Sequence, residues 1–212
     1  MRARLARFLM SAEHLSSSVP DSVAEFNPHE RVALLGLARL SIEQAVRHGR
    51  SLSLEPVDLS PKCREPRACF VTLTKDGALR GCIGTLTAEA PLWQAVMTNA
   101  RGAAQRDTRF PSVTPDELSD LTIEISILSE SRPLQFASPR QLLDQLQPRR
   151  DGVILHLDGR RATFLPQVWE GISDKTDFLE HLCLKAGLAR DAWRQPGIGV
   201  EVYTVEAFAE GD

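Results

Sequence analysis

Three features of the 212-residue chain predict an α+β fold with a largely antiparallel or mixed β-sheet and packed helices. Asp-Gly pairs at Asp76-Gly77 and Asp158-Gly159 each separate two runs of strand pattern, and such pairs suit the positive φ angles of tight hairpin turns. Leu121-Thr122-Ile123-Glu124-Ile125-Ser126-Ile127 alternates without a fault, as a strand with one buried face does. Helical stretches are scattered among these strands with no regular βαβ alternation, which favours hairpin-linked pairing over a parallel sheet.

Composition sets the frame for each element. At 42% hydrophobic and 25% charged, the chain can bury a sizeable core as one large domain or two small ones. Lys and Arg total 25 against 28 Asp and Glu, with the signs interspersed, and there is one tyrosine. That balance lacks the basic face and stacking aromatics of a nucleic-acid binder.

The opening, residues 1–26, carries Arg2, Arg4 and Arg7 and a Ser16-Ser17-Ser18 run and reads as a tail. Its apolar run Phe8-Leu9-Met10 is too short for a secretory core, and early acids argue against a transit peptide. A cytoplasmic protein without a membrane segment is expected. The first helix begins at Asn27-Pro28-His29-Glu30, where an N-cap residue, a proline at the first position and an acid at the third form a capping box. Val32, Leu35, Ile42 and Val46, with Ala38 and Ala45, supply its apolar stripe, and Arg47-His48-Gly49 ends it. Residues 51–66 read as a surface loop.

Phe70–Thr74 and the hexapeptide Leu79-Arg80-Gly81-Cys82-Ile83-Gly84 then form the arms of the first hairpin. Strict alternation would put Arg80 and Cys82 on one face and Leu79 and Ile83 on the other. Pro91 opens a second helix carrying Leu92, Ala95, Val96, Asn99 and Ala103, and Asp107–Pro111 is an extended loop. Thr114-Pro115-Asp116-Glu117 repeats the capping signature ahead of the alternating strand. Ser138-Pro139 caps a helix with Leu142, Leu143 and Leu146, and a second hairpin pairs Val153–Leu157 with Arg161–Leu165. Asp174–Ala186 is a helix with Phe178, Leu182 and Ala186 inward, and Val200–Val205 is the last strand.

The cysteines at 63, 69, 82 and 183 contain no Cys-x-x-Cys pair, and the histidines contain no His-x-x-x-His chelate. Free thiols in a reducing compartment are expected, with no metal site and with any cofactor unknown.

Six stretches occur in order: LRGCIG at 79–84, DTRFP at 107–111, LTIEISILS at 121–129, DGVIL at 151–155, RRATFLPQVW at 160–169 and FLEHLCLKAGL at 178–188. Together they resemble the AMMECR domain family, whose bacterial and archaeal members are called AmmeMemoRadiSam system protein A, over residues 28–208. The resemblance implies a domain over 27–212 in which a larger subdomain is built from both ends and a smaller central one, roughly 86–119, is inserted. It also implies a cleft between them near the hexapeptide, and association with a Memo-like protein and a radical SAM enzyme, without a settled reaction. Ser112 departs from the family pattern, which has a second proline there.

Cys82 is the candidate nucleophile, since a neighbouring cation such as Arg80 would favour its thiolate. A base would have to come from distant sequence, His181 or His156. Arg80, Asp107, Arg109 and Glu124 could line a polar pocket, with the arginines holding a carboxylate or phosphate of a small anionic ligand. The structural alternative pairs them as Arg80–Glu124 and Asp107–Arg109. Gln167, after a proline at a hairpin end, could donate to a ligand. Two readings follow: a small-molecule or protein-modification component using Cys82, or a non-catalytic ligand- or protein-binding module in which Cys82 is structural.

Overall fold

The computed structural model describes residues 26–51 and 58–211. The chain forms two compact units, one built from the described residues up to Leu128 together with the segment from Glu206, the other from Ser129–Val205. The expected tail lies outside the described residues except for Phe26, which is fully buried.

In the first unit, helix α1 (Pro28–His48) starts where its capping signature stands. The Asn27 side chain accepts the Glu30 N–H at 3.0 Å, the Glu30 carboxylate accepts the Asn27 N–H at 2.8 Å, and Gly49 closes the helix at φ 63°. Its buried face is Leu34, Ala38, Ser41, Ile42 and Ala45, whereas Val32, expected inside, is 69% exposed. Ser41 can lie in this seam because its hydroxyl donates to the Met97 carbonyl at 2.7 Å. Part of the expected loop at 51–66 is a short helix, α2 (Pro61–Arg64), which buries Cys63.

Strands β1 (Cys69–Lys75), β2 (Ala78–Gly84), β3 (Leu121–Leu128) and β8 (Val205–Ala209) form an antiparallel-paired sheet in the order β2-β1-β3-β8. Asp76 and Gly77 turn the first hairpin at φ 52° and 77°. One face of the sheet, carrying Cys69, Val71, Leu73, Ile123 and Ile125, is fully buried under helix α3 (Leu92–Gln105) and α1. Because α3 packs on both α1 and the β1–β2 hairpin, it is buried on most of its surface, from Leu92 to Ala104. The smaller inserted subdomain expected at 86–119 is therefore not where the structure divides. Residues 92–118 share the core of the first unit, and the compact insertion is Ser129–Val205.

The second unit pairs β4 (Arg132–Pro133), β7 (Gly199–Tyr203), β5 (Gly152–Leu157) and β6 (Arg160–Phe164) in the order β4-β7-β5-β6. Helices α4 (Pro139–Gln145) and α5 (Lys175–Lys185) join its own core, in which Trp169 stacks on Phe178 with ring centroids 3.5 Å apart. The single strand expected at 200–205 is two: the chain leaves β7 at Tyr203 and from Val205 runs in β8 of the other sheet. The α+β class holds in both units.

Gly81 marks the tightest approach in the first unit. A Cβ there would lie 2.2 Å from the Ala103 carbonyl oxygen of α3, a backbone atom that cannot swing away. Gly81→Ala should therefore lower the unfolding free energy by about 1–3 kcal/mol, the usual cost of overpacking, in a urea melt followed by circular dichroism. An unchanged midpoint would show that α3 can shift freely.

Candidate functional site

The first hairpin does not keep the regular register that its two-residue turn begins. Thr74 faces Leu79, but the register then slips, so that Leu73 faces Gly81, Thr72 faces Cys82 and Val71 faces Ile83. Arg80 is the extra residue of a β-bulge. Continued without the slip, pairing from Thr74–Leu79 would have set Cys82 against Val71, whose side chain is fully buried. The bulge places Cys82 on the other face, beside Thr72, and also turns Leu79 to that face, against the alternation expected for the hexapeptide.

Thr72 faces Glu124 across the β1–β3 pair, so Cys82, Thr72 and Glu124 form one row on the sheet face away from α3. The Thr72 hydroxyl donates to Cys82 Sγ at 3.4 Å. Ser126, next on the same face of β3, reaches Glu124 Oε1 at 3.4 Å. Cys82 is half-buried, whereas Cys63, Cys69 and Cys183 are fully buried.

β2 is the edge strand, and Cys82 presents its backbone outward from the sheet. Asp107 and Arg109 take the place of a further strand. Asp107 Oδ2 accepts the Cys82 N–H at 2.8 Å, and Arg109 Nη2 reaches the Cys82 carbonyl at 3.4 Å. The two side chains also bind each other through Arg109 Nε to Oδ1 at 2.9 Å and Nη2 to Oδ2 at 2.6 Å. This is the paired alternative for Asp107 and Arg109, and it commits both to Cys82's backbone.

Arg80 goes elsewhere. Its Nε and Nη2 make a two-point contact with Glu117 at 2.9 and 3.0 Å, and its Nη1 donates to the Pro111 carbonyl at 2.9 Å. Neither the expected thiolate-stabilising contact nor an Arg80–Glu124 pair is formed, because the bulge directs Arg80 toward the 111–117 segment. Glu117 is the residue that sequence reasoning missed in this role. Its signal was the Thr114–Glu117 capping box: one carboxylate serves both the Thr114 N–H at 2.9 Å and Arg80.

Burial pushes the Cys82 thiol above its ordinary pKa, the Thr72 hydroxyl and the Arg109 guanidinium pull it back, and the Asp107 and Glu124 carboxylates add to the rise. The resting group is therefore the thiol. Hydrogen bonds from Arg109 hold the Asp107 carboxyl down at about 2, and those from Arg80 hold Glu117 at about 2.

His181 and Gln167 belong to the second unit. His181 sits on α5 with Nδ1 2.8 Å from the Asp177 carbonyl of its own helix, and Gln167 is exposed in the short 3-10 turn Pro166–Glu170. The groups that act on the Cys82 thiol among the described residues are Thr72, Arg109, Asp107 and Glu124, with no histidine. His156, on β5, lies 3.6 Å from Glu201. Among the described residues no three His, Cys, Asp or Glu side chains gather as a metal site, and no helix is long and apolar enough to cross a membrane.

Comparison with known proteins bears directly on this geometry. The AMMECR1 family model matches residues 35–208, which include the whole bulged hairpin, the 107–111 clamp and the Glu124 strand. The chain belongs to the AMMECR1 family. A protein of Methanosarcina mazei is 41% identical over 177 residues, spanning 82% of this chain and 87% of its own length. One from Methanothermobacter thermautotrophicus is 38% identical, spanning 88% and 97%. The crystal structure of an uncharacterized protein from Pyrococcus horikoshii superposes with a TM-score of 0.74 at 34% identity, covering 84% of this chain and 90% of that one.

Two outcomes test this AMMECR1 site. Asp107 and Glu117 are more acidic folded than unfolded, so their contribution to stability is complete above the unfolded pKa near 4 and is lost as pH falls toward about 2. Asp107→Ala should flatten that decline and cost about 1–3 kcal/mol at pH 7, since it strips the Cys82 N–H and Arg109 of their acceptor; equal stability would show the clamp to be idle. Under limiting iodoacetamide, Cys82 should alkylate before the other three cysteines because it alone is partly exposed, at a rate that climbs past pH 8. Arg80→Gln should leave that rate unchanged, and a marked slowing would show that Arg80 does act on the sulfur.

Proposed function

We propose that this chain is a small-molecule or protein-modification component that acts through Cys82, in association with a Memo-like protein and a radical SAM enzyme. The single observation that supports this reading is the seat of Cys82. Its backbone is gripped on both polar atoms, its thiol is the half-exposed one of the four, the Thr72 hydroxyl donates to it, and the Glu124 carboxylate lies one strand further along the Cys82–Thr72–Glu124 row. Because the thiol rests protonated, nucleophilic work needs a proton acceptor, and Glu124 takes that role in place of a histidine. Sγ then forms a bond to an electrophilic substrate carbon. The bond from that carbon to its leaving group breaks, the leaving group keeps the electron pair, and the thiol proton passes to the Glu124 carboxylate.

A second reading, a non-catalytic ligand- or protein-binding module, draws on a different observation. Arg80 and Arg109 are both spent on internal carboxylates, and the raised thiol pKa suits a structural cysteine. Intact mass spectrometry of the chain co-expressed with a Memo-like protein and a radical SAM enzyme separates the two. The first reading expects a covalent adduct mapped to Cys82, absent from Cys82→Ser and diminished in Glu124→Gln. No adduct, with partner capture undiminished in Cys82→Ser, would establish the module instead.

A further inference from the structure

Helix α1 turns an open face away from the side that packs on the core. Of the four large apolar side chains that stand exposed among the described residues, two share this face: Val32 at 69% and Leu40 at 36%. Midway between them is Gly36, also exposed, where an added Cβ would meet nothing within 4 Å. Glycine weakens a helix interior and suits positions where something must come close. The glycine inside α3 meets that need within the chain, since Ile83 lies 3.1 Å from where a Cβ of Gly102 would stand. Gly36 has no such neighbour among the described residues, and a glycine between two exposed apolar side chains points to a surface supplied by another molecule.

The spacing along α1 selects that molecule. Val32 and Leu40 lie four residues before and after Gly36, and His29 and Glu43 lie seven before and after, so all five share one side of the helix. Two copies of α1 laid antiparallel, with a two-fold axis at Gly36, bring Val32 of each against Leu40 of the other and His29 of each against Glu43 of the other. That is the self-complementary pattern of an isologous dimer. Neither the His29 nor the Glu43 side chain has a hydrogen bond or ion pair of its own among the described residues, and this register sets no two like charges opposite each other.

We infer that the outer face of α1 docks a second copy of the chain. In this antiparallel contact Val32 packs on Leu40, His29 donates to the Glu43 carboxylate, and Gly36 lets the two helices touch where they cross. The contact is independent of Cys82.

Sedimentation velocity of the full chain between about 10 μM and 1 mM, the range of weak complexes, tests the inference. The expected result is a concentration-dependent dimer that Leu40→Lys weakens by at least about tenfold, because each dimer loses two apolar contacts. Glu43→Lys should weaken it too by setting a cation against His29, and adding His29→Glu to Glu43→Lys should restore the parent's association. These side chains stand on the outer face, so the variants should keep the parent's circular dichroism. A chain that stays monomeric at about 1 mM overturns the inference. So does a dimer indifferent to Leu40→Lys and Glu43→Lys, which would use another surface. A photo-cross-linking amino acid in place of Val32 gives an independent reading: a product of twice the chain mass, mapped near Leu40, is expected, whereas a link within one chain to residues 1–25 would give this face to that segment and overturn the inference.

Discussion

The grip of Asp107 and Arg109 on the Cys82 backbone is the contact on which the arrangement around the hexapeptide depends. An edge strand has one side of its N–H and C=O groups unpaired, and a sheet must cover or block that side. Here a carboxylate accepts the Cys82 N–H at 2.8 Å while its guanidinium partner reaches the carbonyl, so two side chains separated by one residue imitate a strand. The same pair neutralises itself, which lets Asp107 stay buried and ionised. The Arg80–Glu117 pair anchors the other end of the loop through the Pro111 carbonyl, and the loop is thereby tied at both Asp107 and Pro111.

These ties shape the chemistry available. A cation beside a thiol lowers its pKa only if its charge is not already met, and the cations near Cys82 are met by carboxylates in contact with them. The consequence is a thiol held in place without being activated at rest. An acid, Glu124, shares its sheet face. Arg39 makes a comparable tie within the same unit, pairing with Glu210 beyond β8 while donating to the Leu118 and Leu121 carbonyls at 2.8 Å. Through it the C-terminal strand is joined to α1 and to the start of β3.

Most buried polar side chains in both units are bonded to backbone carbonyls. In the first, the buried Ser41 and Asn99 side chains are bonded to backbone carbonyls, at Met97 and Cys69. In the second, Trp169 and Thr163 are satisfied in the same way, whereas the Trp193 N–H is not. Arg31 Nε and Arg101 Nε in the first unit are likewise buried without a hydrogen-bond partner among the described residues.

Local chemistry in the sequence determined much of this protein. Capping residues placed α1 and α4, Asp-Gly pairs placed both hairpin turns, and faultless alternation placed β3, because each signal acts over a few residues and needs no distant partner. The ordered motifs likewise marked the family. Register and pairing were decided only in three dimensions. A one-residue slip at Arg80 moves Cys82 from the buried face to the outer one, and what favours it is the Ala103 carbonyl pressing where only Gly81 leaves room, more than twenty positions away. The choice of Glu117 over Glu124 for Arg80, the split of the last strand between two sheets, and the insertion of 129–205 rather than 86–119 have the same origin. Each depends on which distant surfaces meet, and neither spacing nor periodicity carries that information.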